Sequence, residues 1–286
     1  MTDTQSPEDR TGLARRAVLA AGGAAVTAVG VGGAFMTDAQ ASDRPDQEGA
    51  CYTLTSELVE GPYYIDADKL RQDVTEDQEG IPLSLTLKVI DAETCKPLRN
   101  AAVDIWHCNA SGVYSGYEEM GSGGGGGTPP SGPPPTDTPT GPPPGGGGGH
   151  QEPTDDTRYL RGTWHTDRHG QVTFRTVFPG WYQGRCVHIH VKVHVDGEWT
   201  DAGYEGGHTC HTGQLFFDET SVLLSAEVEP YASNTTTRTT LDEDTIYPGN
   251  GHEGGLLSLR YDRHHIARGV RGRLTLAVEP DETNNG

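Results

Sequence analysis

The sequence predicts an all-β protein, specifically a β-sandwich of mixed and antiparallel strands with long loops and few short helices. Short runs in which apolar and polar residues alternate are typical of strands with one buried face, and Gly and Pro turns separate these runs. Long amphipathic helical patterns are absent from the 286 residues. Together these two observations favour stacked sheets over a helical bundle.

The N-terminal segment has the features of an export signal. Arg15 and Arg16 precede an apolar run rich in Ala, Gly and Val, and the small residues Ala39 and Ala41 resemble a cleavage site. We therefore expect residues 1–41 to be a twin-arginine signal peptide. The alternative is a membrane anchor, but the run is only weakly hydrophobic, so no stable membrane insertion is expected after cleavage. The mature protein would be extracellular, periplasmic or held at the cell surface.

Overall charge narrows the range of partners. The chain has 41 acidic and 21 basic residues, and its formal net charge is −20. An acidic chain without a basic stripe in its sequence is poorly suited to nucleic acid or to anionic membranes. The excess acid is also consistent with a surface that stays soluble in a salty medium. The sequence does not indicate an oligomeric state.

The predicted elements follow one another from residue 50 onward. An entry segment turns at Gly61, and a first strand alternates from Leu83 to Val89. A charged turn then leads to a second short strand, 101–106. The later strand patterns are QVTFRTV, VHIHVKVHV, GQLFF and GRLTLAVEP, and SVLLSAEVEPYA predicts a short helix.

Residues 121–157 interrupt the strand patterns with a run of Gly, Pro, Ser and Thr followed by a polar tail. This stretch has too few apolar groups to form a core, so it predicts a disordered insertion. Strand patterns resume directly after it. The insertion is therefore expected in a surface loop of one domain, 42–286, rather than at a domain boundary.

The cysteines do not form a metal-binding motif. Their number is odd, so at least one is free or bonds elsewhere, and the sequence does not define their connectivity. No CxxC pair is present and the spacing does not suggest a zinc site. The five are Cys51, Cys95, Cys108, Cys186 and Cys210.

The strand at residues 187–195 carries histidines in an apolar pattern. Since strand side chains alternate between faces, the Val and Ile residues share one face and the polar residues share the other. His188 and His190 then lie roughly 7 Å apart on the same side, close enough to bind one metal ion. His194 lies roughly 13 Å beyond His190 and is expected to be an exposed edge residue.

Two other residue types stand beside these histidines, namely Tyr182 and Arg185. A phenol has an ordinary pKa of about 10, so only a hard, highly charged ion binds it readily as phenolate. Ferric iron suits anionic oxygen donors combined with imidazole, whereas zinc is more often held by His with carboxylate or thiolate. The pattern therefore favours iron over zinc.

Several motifs resemble those of the intradiol ring-cleavage dioxygenases. They are EGPYY, AVDIWHCNASGVYSGY, YLRGTWHTDRHGQVTFRTVFPGWY, PGWYQGR, RCVHIH and GQLFF. The likeness spans most of the predicted mature chain apart from the insertion and the last part. It is greatest to the exported bacterial branch, which lacks the helical N-terminal dimerisation region of the cytoplasmic catechol enzymes.

The resemblance implies a mononuclear, non-haem Fe(III) cofactor with two tyrosine and two histidine ligands. Matched motif by motif, these ligands are Tyr114, Tyr182, His188 and His190. It further implies that Tyr182 leaves the iron to accept a substrate proton, and that Arg185 stabilises the anionic ring. The substrates would be a catechol and dioxygen, and the product a cis,cis-muconate-type diacid. Only five residues separate Tyr182 from His188, fewer than in protocatechuate enzymes, so substrate preference does not carry over.

The residue assignments have alternatives. Tyr117 is a nearby rival of Tyr114, and Arg185 could instead form a structural salt bridge. Tyr182 could pack as a turn aromatic, and the two histidines could face solvent. Trp106 is expected in the core, while Tyr63 and Tyr64 either line the pocket or merely pack.

The predicted dioxygenase function also has alternatives. The strand-rich segment 85–106 resembles those of transthyretin-like sandwiches, so a metal-free binding module is one of them. An iron-binding family member without turnover is another, and a zinc enzyme is a third that the two tyrosines disfavour.

Overall fold

A computed structural model describes residues 54–66, 69–123, 151–201, 203–247 and 255–284. The predicted signal peptide and most of the predicted insertion lie outside these residues. The described strands and the α-helix are β1 (Pro82–Asp91), β2 (Ala102–Trp106), β3 (Arg161–His165), β4 (Gln171–Val177), β5 (His188–Trp199), β6 (Tyr204–Phe216), α1 (Glu219–Ser225), β7 (Ser258–Tyr261) and β8 (Val270–Val278).

The strands form two four-stranded sheets, which confirms the prediction of a β-rich fold. The first sheet has the order β4-β1-β8-β7 and the second has the order β3-β2-β5-β6. The pairing of β1 with β8 is parallel and every other described pair is antiparallel. The sheets are therefore mixed and antiparallel, as the sequence predicted.

One apolar cluster takes side chains from strands of both sheets. The predicted alternation on β1 is confirmed, because its odd-numbered residues from Leu83 to Val89 all belong to this cluster. So do Val187, just before β5, and the odd-numbered residues 189–195 of β5. Full burial of each such side chain contributes about 1.5–3 kcal/mol. The alternation thus fixes which face of β5 turns inward and leaves its histidines on the opposite face.

That opposite face is covered by residues 54–66. The Leu58 amide donates to the Thr212 carbonyl over 2.9 Å, which lays this segment along β6. The Lys192 Nζ atom lies 2.6 Å from a carboxylate oxygen of Glu60, and both side chains are almost fully buried. This covering segment explains why the polar residues on this face of β5 are buried.

The position of His194 corrects one prediction. Strand β5 lies between β2 and β6, so it is a central strand and not an edge. His194 is half-buried, and its Nδ1 atom lies 3.1 Å from the Thr209 hydroxyl on β6. The sequence prediction was wrong because it assumed a strand order that local alternation does not reveal.

Other elements differ in their bounds. The first four residues of the GQLFF pattern are only the end of β6, which begins at Tyr204 and ends at Phe216. The predicted short helix corresponds to α1, and the Asp218 side chain accepts a hydrogen bond from the Ser221 amide at its start. None of the described helices is long and apolar enough to span a membrane.

The C-terminal end of the predicted insertion differs from expectation. The Gln151 amide donates to the Pro62 carbonyl over 3.1 Å, and the Thr154 amide donates to the Gly116 carbonyl over 2.7 Å. Residues 151–157 are therefore tied to the folded unit by hydrogen bonds. Their polar composition misled the prediction, because backbone hydrogen bonds do not require apolar side chains.

Candidate active site

The four predicted ligands come together at one place. The Nε2 atoms of His188 and His190 are 3.1 Å apart, and the Tyr182 hydroxyl lies 3.3 Å from the His188 Nε2 atom. The Tyr114 ring centroid lies 5.8 Å from that of Tyr182 and 6.2 Å from that of His190. Two phenols and two imidazoles therefore surround a common point.

Different elements position these groups. His188 and His190 begin β5, where a spacing of two residues puts both rings on one face. Tyr182 lies in the loop between β4 and β5, and Tyr114 lies in the loop that follows β2. Loops set upon a rigid sheet are common carriers of functional side chains.

Hydrogen bonding and stacking orient the imidazoles. The His188 Nδ1 atom lies 2.7 Å from the Cys186 carbonyl, which can only accept, so Nδ1 carries the proton and Nε2 presents a lone pair. The His190 ring stacks on Trp106 with centroids 4.8 Å apart and an interplanar angle of 9°. A hydrogen bond on the second ring nitrogen is typical of metal-binding histidines, and His188 has one. The buried His190 Nδ1 atom has no hydrogen-bond partner among the described residues, so stacking on Trp106 orients that ring.

Burial sets the protonation states of these groups. Desolvation lowers the pKa of His188 to about 3 and holds the pKa of His190 well below its ordinary value, so both imidazoles are neutral. Burial also raises the pKa of both Tyr114 and Tyr182, although the nearby Arg185 charge opposes the rise. Neutral imidazoles offer lone pairs, and buried phenols need a strong positive charge to ionise. This donor set fits a highly charged cation.

The environments of Tyr114 and Tyr117 distinguish the two rivals. The Tyr117 hydroxyl donates to the Gln151 carbonyl over 2.7 Å. The buried Tyr114 hydroxyl has no hydrogen bond of good geometry, although it lies near enough to Tyr182 for each phenol to influence the pKa of the other. An unsatisfied buried hydroxyl is costly, so the geometry favours Tyr114 as the metal-facing residue.

Buried contacts hold the Tyr114 loop in place. The Arg161 guanidinium donates to both the hydroxyl and the carbonyl of Ser115, over 2.9 and 2.8 Å. The Ser115 hydroxyl in turn donates to the Tyr159 carbonyl over 2.7 Å. A buried arginine on β3 thus fixes the residue next to Tyr114.

Arg185 forms the salt bridge that was one of its two predicted roles, and it lies close enough to Tyr182 to affect its pKa. Its Nε atom lies 2.9 Å from the Asp244 carboxylate, which is fully buried, and its guanidinium also donates to Gln214. Its charge nevertheless acts on the pKa of Tyr182. The ion pair fixes the guanidinium beside the site, so a structural contact and an electrostatic role are compatible.

Two aromatic residues lie at the candidate site although the sequence did not assign them to it. Trp106 was predicted in the core, and Tyr63 was predicted either to line the pocket or merely to pack. Trp106 supports His190, and Tyr63 lies 5.0 Å from Tyr114 between ring centroids. Alternation on β2 puts Trp106 on the face opposite Val103 and Ile105, a signal that would have separated it from the main core. A small pocket beside them is lined by Tyr63, Gly112, Tyr114, Tyr117, Met120, Gly121 and Tyr182.

Among the described residues, the thiols and carboxylates do not offer a competing metal site. Across the described ranges, no three side chains of His, Cys, Asp or Glu cluster closely enough to hold a metal ion. Cys95 is disulfide-bonded, and burial raises the pKa of the free Cys108 thiol to about 12. The candidate donors are therefore the phenols and imidazoles.

Comparisons with known proteins place the chain in a class. A family model described as Dioxygenase matches residues 59–123. The intradiol ring-cleavage dioxygenase from Tetranychus urticae is 32% identical, with 82% of this chain and 98% of that chain covered and a TM-score of 0.64. Dioxygenase Tetur07g02040 is also 32% identical, with the same coverage and a TM-score of 0.65. These matches place the chain among the dioxygenases.

The family within that class follows from the extent of the match. With 32% identity over 98% of a solved relative, the chain belongs to the intradiol ring-cleavage dioxygenases. Catechol 1,2-dioxygenase of Acinetobacter baylyi is 28% identical over 182 residues, which are 54% of this chain and 47% of that enzyme. The chain thus spans about half the length of this curated relative.

Proposed function

We propose that this protein is a mononuclear, non-haem Fe(III) dioxygenase that cleaves a catecholic ring between its two hydroxyl-bearing carbons. Both atoms of dioxygen would enter the product, a cis,cis-muconate-type diacid, so no other reactant is needed. The convergence of two phenols with two imidazoles, whose Nε2 atoms are 3.1 Å apart, is the observation that carries the proposal.

Tyr114, Tyr182, His188 and His190 would hold the ion. Ferric iron there would act as a Lewis acid that orients a catechol and stabilises its negative charge. The donor chemistry supports this assignment, because two phenolates favour a trivalent ion. The aromatic rings of Tyr63 and Trp106 shield the donors from water, which strengthens electrostatic interactions inside the site.

The chain itself supplies proton transfer and charge. Tyr182 lies on a loop, and its hydroxyl oxygen is the atom that would accept a proton from a catechol hydroxyl. Arg185, held by Asp244, would place positive charge where the ring becomes anionic.

Two broader features are part of the proposal. Because one apolar cluster takes side chains from both sheets, we infer that the sheets pack face to face as a sandwich.

The paired arginines Arg15 and Arg16 support export by the twin-arginine route, with the enzyme acting outside the cytoplasm.

Purified protein provides the test. We expect about one iron per chain by elemental analysis, a burgundy phenolate-to-iron absorption band, and dioxygen uptake with catechol that yields a diacid. Folded, active protein without iron or colour would overturn the proposed site. Iron and colour without dioxygen uptake from a panel of catechols would indicate a binding protein without turnover. Folded, metal-free and inactive protein would indicate a transthyretin-like binding module.

A variant pair isolates the proton acceptor. Tyr182→Phe should weaken the absorption band and slow turnover by about 10²–10⁴-fold, since general acid–base groups typically contribute that much. Tyr204→Phe is the matched control, because the Tyr204 hydroxyl only accepts a hydrogen bond from the Gly197 amide in the β5–β6 hairpin. Unchanged colour and rate in Tyr182→Phe would remove this residue from the metal site.

A further inference from the structure

The outward face of the first sheet is basic in an otherwise acidic protein. Five basic residues share this face, and the outward-facing positions of its four strands hold no acidic residue. The chain as a whole has 41 acidic and only 21 basic residues, so this clustering runs against its composition. The five are Lys88, Arg175, Arg260, Arg271 and Arg273.

Within the described parts of the chain, most of these charges have no counter-charge. Arg175 lies 3.2 Å from Asp73. Among the residues that the structure describes, no carboxylate lies within ion-pair distance of Arg260, Arg271 or Arg273. With so many acidic residues in the chain, a neutralised face would have been easy to form. The unpaired arginines therefore suggest an external anion.

The strand register places two of these arginines opposite each other, which is unfavourable without a bound anion. Arg260 on β7 and Arg271 on β8 are direct cross-strand partners. Like charges placed directly opposite each other destabilise a sheet. An anion bound between the two guanidinium groups would turn this repulsion into attraction.

A surface cavity lies at the same position. Its volume is about 450 Å³, within the range of small-molecule sites. Arg260, Arg268 and Arg271 line it, and Pro82 and Tyr261 contribute apolar surface. Arg268 lies 3.6 Å from Asp262 yet keeps 72% of its side chain exposed, so it too can turn toward a ligand. Charge and apolar surface meet in one cavity.

We propose that this cavity binds a small organic anion that has two carboxylate groups joined by an apolar segment. Guanidinium groups bind carboxylates through two parallel hydrogen bonds, and three of them border the cavity. The apolar segment would lie against Pro82 and Tyr261. The cavity lies on the first sheet, whereas the imidazoles of the candidate active site lie on the second, so the two sites are separate.

Calorimetric titration with adipate, a six-carbon dicarboxylate, tests the proposal at constant ionic strength. Hexanoate, which has the same carbon number but one carboxylate, is the ligand control. We expect saturable binding of adipate and binding of hexanoate that is weaker by about tenfold or more, because one ion-paired carboxylate is lost. Absence of saturable adipate binding, or equal affinity for the two acids, would overturn it.

Arginine variants locate the site. Arg271→Gln should weaken adipate binding by about tenfold or more, since it removes one guanidinium from the cavity. Arg273→Gln is the matched control, because Arg273 lies on the same strand and face but does not line the cavity. Its effect should stay below about twofold. Equal losses in both variants would show that the whole face attracts anions without a defined site. Iron content and melting temperature confirm that each variant is folded.

Discussion

Two tyrosines three positions apart show how the surroundings of a residue decide its role. The Tyr117 hydroxyl satisfies a backbone carbonyl, and the Tyr114 hydroxyl is buried without a hydrogen bond of good geometry. The motif GVYSGY alone does not distinguish them, because both are phenols in one loop. The contacts of each hydroxyl separate a structural residue from a candidate ligand.

The variants Tyr114→Phe and Tyr117→Phe should therefore behave differently. Tyr114→Phe should lose iron while the apoprotein keeps its stability, since the variant removes an unsatisfied hydroxyl. Tyr117→Phe should keep iron and lose about 1 kcal/mol of unfolding free energy with its hydrogen bond. Elemental analysis and chemical unfolding measure the two effects. Iron loss in Tyr117→Phe and full iron content in Tyr114→Phe would reverse the assignment.

At the scale of single residues, the sequence predicted that His188 and His190 share one strand face. It did not predict the aromatic ring that supports His190. Strand alternation has a period of two, so the shared face followed from spacing alone. The stacking of Trp106 on His190 depends on the register in which β2 pairs with β5. Register joins residues far apart in the chain, and local patterns do not contain it.

At the scale of elements, two loops must meet closely for the phenols to converge. The loop after β2 approaches the loop before β5 at Gly112, whose φ of +82° is in the left-handed region. A Cβ atom at this glycine would lie 2.2 Å from the Trp181 carbonyl oxygen and 3.3 Å from the Tyr182 Cβ. Only a residue without a side chain allows this approach.

Gly112→Ala should separate the loops that carry the two candidate tyrosine ligands. We expect a loss of about 2–5 kcal/mol of unfolding free energy from left-handed strain and overpacking together, accompanied by loss of iron. Gly184→Ala is the control, because Gly184 has a φ of +87° and open space around its would-be Cβ. It should lose only about 1–2 kcal/mol. Similar losses in chemical unfolding of both variants would show that backbone strain alone matters.

Predictions for elements succeeded where the pattern was local. QVTFRTV coincides with β4, because alternation and flanking turns mark both ends. The predicted start of the strand that ends in GQLFF was wrong, because residues 204–212 are rich in Gly, His and Thr rather than alternating apolar groups. Pairing with β5 stabilises that part of β6, and sheet pairing overrides weak local preference.

At the scale of the whole molecule, acidic and basic charges are unevenly distributed. The net charge of −20 spreads repulsion over the molecule, while the basic face of the first sheet carries the opposite sign. The sequence suggested no basic stripe because the residues of that face come from four segments between residues 88 and 273. Strand order brings them together.

Salt should stabilise the whole protein. Raising NaCl from about 0.1 to 1 M shortens the Debye length from about 10 to 3 Å, so the repulsion among acidic groups weakens. We expect the melting temperature to rise by several degrees in a thermal scan. Sorbitol at equal osmolality leaves charges unscreened and serves as the control. A melting temperature that is flat or falls with NaCl would show that local ion pairs outweigh net repulsion.

The parallel pairing of β1 with β8 affects how the protein folds during its synthesis. Strand β1 precedes the other described strands in the chain, yet one of its two edges stays open until β8 has been synthesised about 180 residues later. The cover over the histidines waits for the same event, because the Thr55 amide donates to the Ala277 carbonyl. A chain that stops short of β8 would therefore keep this edge of β1 open, and an open strand edge is a template for aggregation.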